Sequence, residues 1–286
     1  MIFQHPPKAT KNFDRVLSKA EAGDRLAQFQ VALAFETGAG ADQDYAEAVK
    51  WYQKAADQGE IASQNNLAGL YLRGLGTPKS EATALQWYLR AAVEGYPAAQ
   101  TNVGYMNAAG LGTRRNDEEA IRWYRKAATK GYAPAQSNLA FMYSEGRGVP
   151  VDGGEAIRWY RKAAAQNYAP AEYKLALLYF EGEVIPRDLP EAMRWFHKAA
   201  EHGSAAAENQ IGSAYRYGRG VRQSDTEAEK WYRAAAEHGL QEARHNLEVL
   251  RSGWLPSAHA AFSELPAPLS EAVGMRTDSA GPIAPK

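Results

Sequence analysis

The residues of this chain with chemical capacity are six histidines, many carboxylates and five glycine-x-glycine turns, and their spacing decides what each can do. The histidines are His5, His197, His202, His238, His245 and His259. No pair has the H-E-x-x-H interval that lets one helix face hold zinc beside an activating glutamate. His202 and His238 stand 36 residues apart, in a register filled elsewhere by Gln58, Glu94, Lys130 and Gln166. They read as exposed helix-end residues favoured by the C-terminal helix dipole. No metal site is expected. Cysteine is absent, which excludes disulfides, thiolate catalysis and cysteine-held zinc. No serine precedes a lysine by three residues, so the S-x-x-K nucleophile is missing. The glycine turns (GAG at 38–40, GLG at 74–76 and 110–112, GRG at 146–148 and 218–220) each follow a helical pattern rather than a strand. Without a G-x-G-x-x-G fingerprint or a Walker lysine they are turn chemistry, and no cofactor is expected.

The carboxylates mostly fall at helix starts or on solvated helix faces, as Glu118 and Glu119 do opposite Arg122 and Lys126. Lysine plus arginine equals aspartate plus glutamate, 33 against 33, so no global field steers the chain toward nucleic acid or an anionic membrane. Arg114 and Arg115 form one basic pair without aromatic interleaving, too little for a nucleic-acid surface.

The elements that must position these groups are set by a repeat. Trp51, Trp87, Trp123, Trp159, Trp195 and Trp231 follow one another at intervals of 36 residues, each trailed by an aromatic and each preceded by alanine three positions back. A second turn carries Gly59, Gly95, Gly131, Asn167, Gly203 and Gly239. Asparagine is the non-glycine residue that best tolerates left-handed backbone, so this turn needs φ > 0. Each unit reads as two helices, A and B. In the specimen unit, residues 61–96, Gln64, Leu67, Ala68 and Tyr71 form the packing stripe of helix A. Helix B starts at Asp44, Ser80, Asn116, Asp152, Asp188 or Ser224, with glutamate three residues on in five of the six. That spacing predicts a reciprocal capping box. The periodic tryptophans are expected to be core, each removing about 150–250 Å² from water. At about 25 cal/mol/Å² that is roughly 4–6 kcal/mol before entropy. In the fifth unit Val184 takes the place of the second loop glycine, and a reshaped loop is expected there.

Strings such as AIRWYRKAATKGYAPAQSNLAFMYSEGRGVP, at 120–150, resemble the Sel1-like repeat of the tetratricopeptide superfamily. The resemblance covers residues 24–251. It implies an all-α, right-handed superhelical solenoid of six helix-turn-helix repeats, in which each unit touches only its neighbours. It also implies a non-enzymatic scaffold or adaptor of bacterial type. Residues 1–23 read as an N-terminal segment and capping helix, closed by Gly23, and Gln241–Leu250 as a lone terminal helix A. Residues 252–286 read as a flexible tail rich in proline, alanine and serine.

Comparing the units with one another locates a second face. Positions equivalent to 64, 67, 68 and 71 keep their residue type; those equivalent to 65, 69, 72 and 73 vary and share the opposite arc of helix A. In the superfamily this variable stripe lines the concave groove. Transferred here, the lining is Phe29, Leu33, Leu72, Arg73, Tyr105, Phe141, Glu145, Tyr173, Leu177, Phe180, Glu181, Arg216 and Tyr217, with Glu36 among them. Aromatics rimmed by charge are the composition of interface hot spots, so a protein or peptide is the expected partner. The tail segment Ser257–Met275, with Phe262, Leu265, Leu269 and Val273, is a second candidate occupant. The alternative reading is a hydrolase or carbohydrate-binding protein using the same groove, for which Glu145 and Glu181 are the carboxylate pair to inspect. No nucleic-acid partner, no membrane insertion and a monomeric state are expected. The N-terminus has no apolar leader, which gives an expectation of a cytoplasmic protein, or a periplasmic one if a signal has been removed.

Overall fold

The computed structural model describes residues 11–252. Every regular element among them is an α-helix: α1 (Lys11–Glu21), α2 (Arg25–Thr37), α3 (Tyr45–Asp57), α4 (Ile61–Arg73), α5 (Glu81–Val93), α6 (Pro97–Ala109), α7 (Asp117–Thr129), α8 (Ala133–Glu145), α9 (Gly153–Ala164), α10 (Ala169–Glu181), α11 (Leu189–Glu201), α12 (Ala205–Tyr217), α13 (Asp225–Glu237) and α14 (Gln241–Arg251). Even-numbered helices α2–α12 are the A helices and odd-numbered α3–α13 the B helices. The lone helices expected at the two ends are α1 and α14. The tail segment 257–275 lies outside the described residues. The chain divides near the end of α7 into two compact units, residues up to Ala127 and residues from Ala128. In the first, each helix packs on the next from α1 to α6; in the second, α8 to α14 do the same.

The turns form as their residues require. Each A helix closes on a left-handed glycine, for example Gly74 at φ 69°, whose N–H returns to Leu70 O. Asn167 is the lone non-glycine residue with positive φ among those described, at 59°. Both helix-stop expectations hold.

The start of helix B departs from expectation in one half. The cap side chains do accept: Asp44 Oδ1 takes the N–H groups of Ala46 and Glu47 at 2.8 and 3.1 Å, and Asp152 takes that of Glu155 at 3.0 Å. Each such cap contributes about 1 kcal/mol. The reciprocal glutamate bond is replaced. The cap N–H instead donates to the helix A carbonyl nine residues earlier: Asp44 to Phe35, Ser80 to Tyr71, Asn116 to Asn107, Asp152 to Tyr143, Asp188 to Tyr179 and Ser224 to Tyr215. The freed glutamates turn outward or onto the tryptophan. Glu155 accepts from Trp159 Nε1 at 3.1 Å, and Glu191 from Trp195 Nε1 at 2.9 Å.

The periodic tryptophans are only partly the core that was expected. Trp51, Trp87, Trp123 and Trp159 are buried, but Trp195 and Trp231 are half-buried. The deeper ring is the one that follows: Tyr52, Tyr88, Tyr124, Tyr160, Phe196 and Tyr232 are all buried. Five tryptophans lie instead under a cation one turn on, with Lys54, Arg90, Lys126, Lys162 and Lys198 at 3.9–4.3 Å from the ring centroid. Tryptophan therefore seals the outer side of helix B, and the tyrosine fills the space against helix A.

The second loop glycine is a contact position. A Cβ on Gly76 would lie 2.2 Å from the carbonyl of Tyr45, and one on Gly112 2.5 Å from that of Glu81. The loop thus rests on the first residue of the preceding helix B. In the fifth unit the pieces are exchanged: Val184 occupies the loop, and the residue beneath it is Gly153. A Cβ there would meet Ile185 Cγ2 at 2.6 Å and Val184 O at 2.8 Å. The expected reshaping is therefore a swap of bulk across one contact.

Candidate partner-binding face

Helix A presents two kinds of position to its surroundings. Five of the six positions equivalent to 72 are buried, with Ala108 keeping some exposure, which corrects three of the groove assignments. Leu72, Phe180 and Arg216 are packed inside, as is Glu36. Several helix A residues are fitted to the helix B ring they face. Glu36 Oε2 accepts from Tyr52 Oη at 2.7 Å, and Asn66 Nδ2 donates to the same hydroxyl at 3.0 Å. Ser144 hydrogen-bonds Tyr160. Tyr232 Oη and Ser213 Oγ are 3.0 Å apart, and burial first of all pushes that phenol up to about 12. Where helix B carries Phe196, with no hydroxyl, the facing residue is Phe180, and the rings meet edge-on at 5.8 Å.

The remaining ten assigned residues keep some exposure. In the first unit these are Phe29 and Leu33 on α2, Arg73 on α4 and Tyr105 on α6. Phe29 packs against Tyr52 at 6.0 Å between ring centroids. Arg73 is exposed but anchored, with its guanidinium 3.2 Å from Glu36 Oε1 and its Nε donating to Gly69 O. Between α6 and α4 runs an amide pair that the sequence reading did not single out, in which Asn102 Nδ2 donates to Asn65 Oδ1 at 3.2 Å.

In the second unit, Phe141 and Glu145 on α8, Tyr173, Leu177 and Glu181 on α10, and Tyr217 on α12 keep exposure. Tyr173 is a mixed case, for its ring lies 5.9 Å from Phe196 and it hydrogen-bonds Gln210. The residue missed is Lys174. Its equivalents are Gln30, Asn66, Asn102, Asn138, Gln210 and Asn246, so a lysine among amides was the available signal. Its ammonium lies 6.0 Å from the Phe141 centroid. Burial lowers its proton affinity, and Glu181 and then Glu145 oppose that effect. The carboxyl of Glu181 is in turn raised, chiefly by burial and then by Glu183, with Lys174 pulling it back. This corner therefore combines two exposed acids, a half-buried base and an aromatic ring. It can accept cations and apolar side chains together.

The Sel1 repeat model matches six contiguous stretches, residues 25–60, 61–96, 97–132, 133–168, 169–204 and 205–240. The chain belongs to the Sel1 repeat family. Among solved structures, c5321, a protective antigen of uropathogenic Escherichia coli strains displaying an SLR fold, is similar at TM-score 0.72 and 30% identity. That match covers 88% of this chain and 55% of the antigen. A Sel1 repeat protein from Oxalobacter formigenes is similar at TM-score 0.70 and 29% identity, over 79% of this chain and 98% of that one. Among curated proteins, eukaryotic elongation factor 2 kinase of Rattus norvegicus is 46% identical over 52 residues, 17% of this chain and 7% of the kinase. So short a match spans a small part of a much longer protein. Sel1 repeat proteins are generally scaffolds for protein–protein interaction. No group of histidine, aspartate and glutamate among the described residues is placed to hold a metal ion. No helix among them is long and apolar enough to cross a membrane.

Proposed function

We propose that this Sel1 repeat chain is a non-enzymatic scaffold or adaptor that holds a protein or peptide on the exposed positions of its A helices. The observation that carries this reading is the corner of Phe141, Glu145, Lys174, Leu177 and Glu181. Two exposed acids, Glu145 and Glu181, stand there with the half-buried Phe141, Lys174 and Leu177, and the Lys174 ammonium lies 6.0 Å from the Phe141 ring centroid. A partly accessible aromatic beside charged groups is what a partner's hot spot complements. The test is crosslinking capture with wild type and a Phe141→Ala/Glu145→Lys/Glu181→Lys variant whose helicity is matched by circular dichroism. A protein crosslinked to α8 or α10 of wild type and lost from the variant supports the reading. Equal recovery by both forms rejects it.

One observation favours the competing hydrolase or carbohydrate-binding reading, namely the raised carboxyl of Glu181. A general acid needs that property, together with a second carboxylate at a fixed separation. Lys174 works against it by holding Glu181 toward its ionised form. Turnover of a glycan panel by wild type and its loss in Glu181→Gln would revive that reading.

A further inference from the structure

The helix A position equivalent to 64 and the last position of helix B, thirty residues on, form a second matched pair. In the first four repeats the former is Gln28, Gln64, Gln100 or Gln136, and each Nε2 donates to the carbonyl eight residues earlier: Ala20, Ala56, Ala92 and Ala128, at 3.0–3.3 Å. These bonds tie the start of each A helix to the end of the helix before it. In two repeats the amide also accepts from the end of its own helix B, Gln58 to Gln28 at 2.7 Å and Gln166 to Gln136 at 2.9 Å.

The last two repeats replace both members together. Glu172 and Glu208, both buried, occupy the glutamine position. Facing them are His202 Nδ1 at 2.7 Å and His238 Nδ1 at 2.8 Å. A carboxylate has no hydrogen to give to Ala164 O or Ala200 O, the carbonyls in the matching register. The α9/α10 and α11/α12 junctions therefore give up an inter-repeat side-chain bond and gain a proton-dependent pair within the repeat. Helices also pack less extensively at these two junctions than at α3/α4 or α5/α6.

We propose that the Glu172–His202 and Glu208–His238 pairs make the last two repeats a pH-responsive segment, clamped when the imidazoles carry a proton and loosened when they lose it. A buried carboxylate left beside a neutral ring keeps its charge without a counter-charge, and that is costly. The surroundings of His238 agree in sign. For His238, Glu208 on α12 and then Glu237 on its own helix favour the protonated ring and raise its proton affinity. From α14, Glu242 is engaged by Asn209 at 2.9 Å, and Arg244 and His245 are exposed. His202 faces the buried Glu172 on α10. A histidine that holds its proton more tightly when folded stabilises the fold fully below its unfolded value, about 6.5. That stabilisation is lost as pH rises through the folded value.

The experiment is amide hydrogen exchange of the full chain between pH 5.5 and 8.5, corrected for the intrinsic pH dependence of exchange. Wild type is compared with Glu172→Gln/His202→Gln/Glu208→Gln/His238→Gln, which installs the pairing the chain already uses at Gln28–Gln58 and Gln136–Gln166. Wild type should lose protection several-fold in α10–α14 across this range while α2–α6 stay level, and the variant should be flat throughout. In parallel, the wild-type His238 ring should titrate in step with the loss of protection, a readout that needs no variant. An identical pH slope in both proteins, or a ring titration that leaves protection untouched, overturns the proposal.

Discussion

Exchanging bulk between Gly153 and Val184 is a test of whether the loop-on-helix contact governs the fifth repeat. A methyl group added at Gly153 would sit 2.6 Å from Ile185 Cγ2 and 2.8 Å from Val184 O, well inside contact distance. Overpacking of this kind costs typically about 1–3 kcal/mol, so Gly153→Ala should lower the melting temperature by several degrees, at roughly 2–4 °C per kcal/mol for a chain of this size. Val184→Gly alone loses a half-buried side chain and frees the backbone, for roughly 1 kcal/mol. The double variant restores the residue types seen at Gly76 over Tyr45 and at Gly112 over Glu81, removes the Val184 Cγ1 contact at 3.1 Å and gives the loop the glycine freedom to move off the new methyl. The two losses should therefore not add. A coupling of about 1 kcal/mol or more in favour of the double variant is expected from contacting residues. Urea unfolding followed by far-ultraviolet circular dichroism on the four proteins closes the cycle. Additivity within about 0.5 kcal/mol would refute the reasoning, because it would mean the two positions do not share one contact.

Two further outcomes follow from the same kind of matching. Phe196→Tyr should destabilise by about 1–3 kcal/mol, because its new hydroxyl faces Phe180 with no acceptor; adding Phe180→Ser, the residue type that serves Tyr160, should recover part of the loss in a denaturant titration. Glu181 should titrate above the ordinary carboxylate range by carbon-detected NMR, and Lys174→Met should move it higher still, since the ammonium pulls it down; an unchanged or lower midpoint in the variant would show that Lys174 does not act on Glu181.

The period, both turn classes and the six helix B caps could be read from residue type alone, since each depends on local backbone chemistry. The face of helix A was harder to read, for a specific reason. Variation among repeats was taken as freedom from packing, and that holds at Phe141, Glu145 and Glu181. It fails at Glu36, Leu72, Phe180 and Arg216, which differ from repeat to repeat yet are buried. Glu36 and Phe180 are fitted to the particular ring they face, Tyr52 and Phe196, and a lone column does not reveal such a fit. His202 and His238 are the exposed helix ends their register suggested; that they are also halves of a pair with Glu172 and Glu208 could not be seen from their own column. Tryptophan is the larger and more periodic ring, but depth is set by which ring faces helix A, so the expectation of a tryptophan core holds for four of the six.

The bond from each helix B cap to the helix A carbonyl nine residues back has a consequence for how such a chain can change length. It fastens the loop at both ends by main-chain atoms, so it holds whatever the loop side chains are. A single-residue insertion between the two anchors must break that fastening or bulge around it. Removal or duplication of a whole 36-residue block leaves every fastening in place. Genetic change in this protein is thus channelled into whole-block steps, with the Gly153–Val184 contact as the one described seam where a copied block would need a matching neighbour.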